Sequence, residues 1–201
     1  MDVIKKKELM DDYVGVKFRT IQIQQDPPPG FEQLYRLFRG CTDDLKANDM
    51  TPRNAGNISM RFADGIAITS SGSNLGMLEE DEVVFVRLCS LDEQTVQYIG
   101  PNVPSSETLM HHLIYQSRPD AGAVVHAHDQ ATSALLVGEV KETEREEPYG
   151  TVELARMACE TFSRDERIIV LKNHGYVAIG RSLGEATDLI VATHLKLVKR
   201  G

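Results

Sequence analysis

Alternating strand and helix patterns in the second half of the chain constrain its fold more than any other feature. In order, they predict a strand over 121–128, a helix over 130–137, a helix from Thr151, strands over 168–171 and 176–179, and a final helix after the capping box at 182–185. The first half adds a helix from Phe31 and a hairpin formed by 83–88 and 95–99. Mixed strands and helices around one core predict an α/β protein with three α/β/α layers.

The N-terminal segment has a different character from the rest of the chain. It is charged at first, then has a short β-like stretch over 15–23, and ends in Pro27-Pro-Pro-Gly30, which is typical of a stiff extended linker. We therefore expect an N-terminal extension with a Pro-rich linker over 1–29 and one catalytic domain over 30–201.

Charge and cysteine usage exclude several classes of function. The 201-residue chain has a formal net charge of −8, which argues against binding to nucleic acid or to an anionic membrane. Its three cysteines are far apart in sequence and predict neither a disulfide framework nor a thiolate zinc site. With no apolar run of membrane-spanning length and no signal peptide, we expect a cytoplasmic protein.

Three histidines are the strongest candidates for a metal site. His126 and His128 are two positions apart at the end of a predicted strand, so their side chains point to the same face. His174 lies in a tight turn after another apolar strand. Three imidazoles from two strand ends match a catalytic zinc site with an open position for water or substrate. The alternative is a set of half-buried histidines that only form hydrogen bonds, and His111 and His112 are open to either interpretation.

Two polar segments have both a structural and a functional interpretation. In Pro104-Ser-Ser-Glu107, serine and an acidic first turn cap a helix. The same hydroxyls, with free amides at a helix N-terminus, form an anion pocket, and the Glu107 carboxylate beside it is available for proton transfer. Ser70-Ser-Gly-Ser73 is either an ordinary loop or a second set of donors that suits a phosphate.

These segments occur together in an order that resembles the class II aldolase/adducin family, which includes L-fuculose-phosphate aldolase and L-ribulose-5-phosphate 4-epimerase. The resemblance extends from about Phe31 to Lys199. The motifs that carry it are Gly56-Asn-Ile-Ser59, Ile68-Thr-Ser-Ser-Gly72, Leu78-Glu-Glu-Asp-Glu-Val83, Pro104-Ser-Ser-Glu107, Ile114-Tyr-Gln-Ser-Arg-Pro-Asp120, Ala123-Val-Val-His-Ala-His128 and Lys172-Asn-His-Gly175.

The resemblance implies a role for each matching position. His126, His128 and His174 would hold one Zn²⁺ per subunit, and Glu107 would be the catalytic acid/base. The substrate phosphate would be bound by five residues, namely Asn57, Ser71, Gly72, Ser105 and Ser106. The family fold implies a mostly antiparallel central sheet with helices on both faces, and its members usually form homotetramers. No segment between Asp129 and Asn173 matches the family's tyrosine proton donor, and Tyr149 is not assigned to that role.

The implied reaction is a zinc-dependent cleavage or formation of a C–C bond in a small ketose phosphate. It would pass through a metal-stabilised ene-diolate and yield dihydroxyacetone phosphate and an aldehyde. A 4-epimerase or a dehydratase on the same scaffold is an alternative, since all three would use the same metal. A non-catalytic adducin-like interaction module is a further alternative.

Overall fold

The computed structural model describes residues 16–52, 54–128, 140–163 and 165–198. These residues form four α-helices and nine strands, together with three short 3-10 helices. The strands are β1 (Arg19–Gln22), β2 (Asn57–Phe62), β3 (Gly65–Thr69), β4 (Val83–Ser90), β5 (Thr95–Ile99), β6 (Ala123–Ala127), β7 (Lys141–Glu142), β8 (Ile168–Leu171) and β9 (Gly175–Gly180). The helices are α1 (Leu34–Ala47), α2 (Thr108–Ser117), α3 (Val152–Thr161) and α4 (Leu183–Val198).

All nine described strands belong to one sheet, in the order β1-β5-β4-β3-β2-β6-β9-β8-β7. The pairs β1/β5 and β7/β8 at the two edges are parallel, and the six pairs between them are antiparallel. The mostly antiparallel sheet is therefore confirmed, including the β4–β5 hairpin that the sequence predicts.

The sheet separates two apolar cores, which makes the three-layer architecture explicit. On one face, α2 and α3 pack through side chains such as Leu109 and Leu154 against Val124 and Val177 of the sheet. On the other face, α1 and α4 pack over Val125 and its neighbours. Alternate residues of β6 thus belong to opposite cores, as the pleat of a strand requires.

Residues at the start of the described chain join the sheet directly. Strand β1 pairs in parallel with β5, and the Phe18 side chain just before it is buried in the α2/α3 core. The β-like stretch predicted near residue 20 is therefore part of the main sheet from Arg19 onward. The division of the chain at residue 29 stays a prediction.

Helix α2 begins at Thr108, later than the cap predicted at Ser105 or Ser106. The reason is that the Ser105 amide donates to the Thr69 carbonyl at 3.1 Å, which holds this turn against the neighbouring loop. The helix predicted over 130–137 lies outside the described residues. In the described ranges, no helix is both long and apolar enough to cross a membrane.

Candidate metal centre and substrate cavity

Two strand ends bring the three predicted metal ligands together. His126 lies in β6, His128 follows that strand, and His174 occupies the turn between β8 and β9. Gly175 permits this approach, because a Cβ there would lie 2.5 Å from the Ala127 carbonyl oxygen. Gly56, at φ +88°, makes similar room, since its Cβ would lie 2.7 Å from the His126 carbonyl oxygen. Two glycines therefore keep the backbone close to the histidine strand from both sides.

The imidazoles form one compact cluster. The Nε2 atoms of His126 and His128 are 2.9 Å apart, and one ligand nitrogen from each of the three residues lies within 4.8 Å of the others. Tetrahedral bonds of about 2.0–2.1 Å place the ligand nitrogens of a zinc ion about 3.3 Å apart. The three side chains therefore fit a divalent metal ion after small adjustments.

Hydrogen bonding and burial prepare these rings to bind a cation. The His126 Nδ1 lies 2.8 Å from the Tyr176 carbonyl oxygen, so Nδ1 carries the hydrogen and Nε2 presents its lone pair to the cluster. Burial, reinforced by the nearby His174, lowers the pKa of His126 well below its ordinary value. Burial also lowers the pKa of His128 to about 3. Both rings are neutral at pH 7, which is the form that binds a metal.

Glu107 places a buried carboxylate directly against the histidines. Its Oε2 lies 3.2 Å from the His126 Nε2, and its Oε1 lies 3.7 Å from the His174 Nε2. The side chain is almost completely buried, and Oε1 has no hydrogen-bond partner among the described residues. A buried carboxylate oxygen without a hydrogen bond, beside three clustered imidazoles, is a group that a bound cation or a substrate hydroxyl would satisfy.

Asn57 contacts the Glu107 carboxylate from the side of β2, and His111 in turn contacts Asn57. Asn57 stands opposite His126 in the β2/β6 register, and its Nδ2 donates to the Glu107 Oε2 at 2.8 Å. Its Oδ1 lies 2.6 Å from the His111 Nε2. Since an amide nitrogen has two hydrogens, the bond to Glu107 still leaves one for a substrate oxygen.

The five predicted phosphate-binding residues line one cavity of about 340 Å³, together with Glu107, His128 and His174. Backbone bonds hold the two serine segments side by side, because Ser71 N donates to the Val103 carbonyl and Ser105 N to the Thr69 carbonyl. Gly72, at φ +79°, has open space where a side chain would point. Among the described residues that line this cavity there is no lysine or arginine. A phosphate here would therefore be bound by hydroxyl and N–H donors.

Tyr149 also lines this cavity, a position that the sequence analysis did not assign. Lys17, two residues before β1, holds the tyrosine, because its Nζ donates to the Tyr149 carbonyl at 2.6 Å and lies 4.6 Å from the ring centre. The next residue, Gly150, packs against Ser106, and a Cβ there would lie 2.9 Å from the Ser106 carbonyl oxygen. The spacing of Tyr149 from the other motifs carries no signal for this contact.

Comparisons with known proteins agree with this geometry. A family model described as "Class II Aldolase and Adducin N-terminal domain" matches residues 37–195. The chain belongs to this family. An L-fuculose phosphate aldolase of Methanocaldococcus jannaschii is 34% identical over 146 residues, which span 66% of this chain and 76% of the relative. A methylthioribulose-1-phosphate dehydratase of Gluconacetobacter diazotrophicus is 44% identical over 89 residues, or 44% of this chain and 41% of the relative.

A solved structure shows the same fold. The crystal structure of L-fuculose-1-phosphate aldolase from Thermus thermophilus superposes with a TM-score of 0.67 at 27% identity and covers 84% of this chain and 94% of that one. The predicted three-layer class II aldolase fold is confirmed.

Proposed function

We propose that this protein is a zinc-dependent aldehyde-lyase that cleaves or forms a C–C bond in a small ketose phosphate, with dihydroxyacetone phosphate and an aldehyde as the other partners. The observation that carries the proposal is the Glu107 carboxylate, buried in a cavity 3.2 Å from the His126 imidazole. Class II aldolases generally use a divalent metal, and the three-histidine cluster would hold it.

Zinc bound to the three imidazoles would supply a Lewis acid that polarises the substrate carbonyl and offsets the negative charge that develops beside it. The remaining chemistry belongs to the chain. Glu107 would take a proton from the hydroxymethyl carbon of dihydroxyacetone phosphate and return it in the reverse direction. The hydroxyls of Ser71, Ser105 and Ser106 and the backbone N–H groups of Gly72 and Ser106, with Asn57, would bind the phosphate and so orient the reacting carbon toward Glu107.

The half-reaction of dihydroxyacetone phosphate tests the proposal without knowledge of the aldehyde. We expect the zinc-loaded protein to exchange one hydroxymethyl hydrogen for deuterium in D₂O, measured by ¹H NMR. The Glu107→Gln variant should fold and retain zinc. Its exchange rate should fall by a factor of at least about 10², because the proton acceptor is gone. An unchanged rate in Glu107→Gln would remove this residue as the acid/base.

A dehydratase is the second candidate, favoured by the 44% identity to the methylthioribulose-1-phosphate dehydratase. The same cavity would then hold a 5-methylthioribulose 1-phosphate, and Glu107 would move a proton during loss of water. Incubation with this ketose separates the two reactions. A product lighter by one water in mass spectra, without deuterium exchange into dihydroxyacetone phosphate, selects the dehydratase.

Two further properties belong to the proposal. The resemblance to the family favours a homotetramer, which light scattering on the purified protein tests, and a cytoplasmic location.

Elemental analysis separates an enzyme from an adducin-like interaction module. Fewer than about 0.2 zinc ions per chain, not recovered on addition of zinc, would favour the module, because a three-imidazole site is expected to fill.

A further inference from the structure

A chain of five buried polar side chains ends at the Glu107 carboxylate. From Tyr115 it runs through Ser59, His111 and Asn57, with successive contacts of 2.9, 2.7, 2.6 and 2.8 Å. None of these five residues is more than 6% exposed. Two of them, His111 and Tyr115, lie on α2, and Glu107 is the N-cap residue of that helix, so the three follow one another at a spacing of four residues along one side. The other two lie on β2 beneath that side.

The direction of each hydrogen bond follows from the end of the chain. A carboxylate only accepts, so the Asn57 group that faces Glu107 is the NH₂ and the group that faces His111 is the carbonyl. The His111 Nε2 must therefore carry a hydrogen and donate it to the Asn57 Oδ1. Burial lowers the pKa of His111 to about 4, so the ring is neutral at pH 7 and its Nδ1 accepts.

The remaining two bonds are then determined. The Ser59 hydroxyl donates to the His111 Nδ1, which leaves its oxygen to accept from the Tyr115 hydroxyl. Every donor points toward Glu107, and each step uses the one arrangement that satisfies both partners. A reversed Asn57 amide would face its oxygen to a carboxylate, which loses that hydrogen bond, and would face its NH₂ to the His111 N–H, which loses a second one for as long as the ring keeps the Nε2–H tautomer.

We propose that His111 is a positioning residue, which sets the Asn57 amide so that its N–H holds Glu107 in place beside the metal cluster. The proposal rests on the proposed role of Glu107 as the acid/base. It assigns Asn57 a second task besides phosphate binding. It also gives a role to a histidine that is completely buried four residues after Glu107.

The first test reads the chain without turnover. Two-bond ¹H–¹⁵N correlation spectra of the zinc-loaded protein should show His111 as the neutral Nε2–H tautomer at pH 7, with no Nδ1–H form. The Ser59→Ala variant, which removes the donor to Nδ1 and little volume, should introduce the second tautomer. An Nδ1–H ring in the unsubstituted protein, or a charged ring, would overturn the proposal.

The second test compares neighbouring histidines. His111→Leu should lower kcat for deuterium exchange into dihydroxyacetone phosphate by about tenfold, the rate equivalent of one lost buried hydrogen bond, with KM within about threefold. His111→Gln keeps an N–H donor toward Asn57 and should recover most of that loss. The matched control His112→Leu, on the same helix but outside the chain, should leave kcat unchanged.

Each alternative has its own outcome. Equal losses in His111→Leu and His112→Leu would reduce the effect to helix packing and overturn the proposal. A change confined to KM would show that Asn57 serves the phosphate alone, which also overturns it. If His111→Leu does not fold, the tautomer spectra of the unsubstituted protein and of Ser59→Ala decide whether the proposal holds. If Glu107→Gln retains full exchange, the proposed function fails, whereas the tautomer result still judges the hydrogen-bond chain by itself.

Discussion

Acidification should destabilise the metal-free protein between pH 7 and pH 5, because neutral imidazoles are buried at its centre. Burial lowers the pKa of His111 to about 4 and that of His128 to about 3, whereas an unfolded histidine titrates near about 6.5. In this window the unfolded chain binds protons that the native protein does not. The free energy of unfolding is therefore fully present above about pH 7 and falls as the pH drops through 6.5.

The size of the loss follows from these values. At pH 5 an unfolded imidazole is almost fully protonated, so each histidine with a native pKa of 4 or less costs about 2 kcal/mol relative to pH 7 and above. His111 and His128 together cost about 4 kcal/mol, and His126 adds to the loss in the same direction. Carboxylates such as Asp120, whose pKa is lowered by the hydrogen bond from Arg118, titrate below this window.

Urea unfolding at pH 7, 6 and 5 in the presence of EDTA, followed by circular dichroism, measures this dependence. His128→Gln removes one of the titrating rings at the edge of the cavity, so its loss between pH 7 and pH 5 should be smaller by about 2 kcal/mol. Zinc should stabilise the protein most at pH 7 and progressively less toward pH 5, since its ligands must be neutral. An identical acid-induced loss in His128→Gln and the unsubstituted protein would refute the reasoning.

Three other substitutions have defined outcomes. Gly56→Ala should lower the free energy of unfolding by more than about 1 kcal/mol and weaken zinc binding. The added Cβ would lie 2.7 Å from the His126 carbonyl oxygen, and the backbone φ is +88°. An unchanged zinc affinity, measured by competition with a chelator dye, would contradict this. Tyr149→Phe should slow aldehyde-dependent C–C bond formation more than deuterium exchange, if the hydroxyl protonates the aldehyde oxygen as the bond forms. Parallel losses in both assays would exclude that role. Arg118→Met should cost roughly 2–3 kcal/mol of unfolding free energy in urea, since it removes the hydrogen bonds that the buried guanidinium donates to the Ser163 and Glu166 carbonyls at 2.9 and 2.7 Å. A loss below about 0.5 kcal/mol would show that water replaces the guanidinium.

Local patterns predicted the parts of the fold and site that depend on short-range geometry. The two-residue spacing of His126 and His128 placed both side chains on one face, and the apolar strand before each ligand placed His174 at a strand end. The β4–β5 hairpin and the helix predicted from Thr151 are correct for the same reason. The resemblance to the family brought the serine segments to the same cavity.

Long-range pairing decides what the sequence left open. Nothing near residue 19 reveals that β1 adds in parallel to β5 and becomes the edge strand, because the pairing spans more than 70 residues and an edge position requires little hydrophobicity. The register that sets Asn57 opposite His126 is likewise a property of the β2/β6 pair. His111 had a readable signal, since it lies one helical turn after Glu107, but only the partner strand shows that its ring meets Asn57.

The two oxygens of Glu107 differ in a way that bears on which one accepts a proton. Oε2 receives the Asn57 N–H at 2.8 Å, and a hydrogen bond to a carboxylate oxygen stabilises its charge and makes that oxygen a weaker base. Oε1 is buried with no hydrogen-bond partner among the described residues and lies 3.7 Å from the His174 ring. Proton transfer from a substrate carbon should therefore occur at Oε1, with Oε2 serving as the anchor. Since the anchor depends on which way the Asn57 amide faces, the residues behind Asn57 bear on catalysis although none of them reaches the cavity beside the metal cluster.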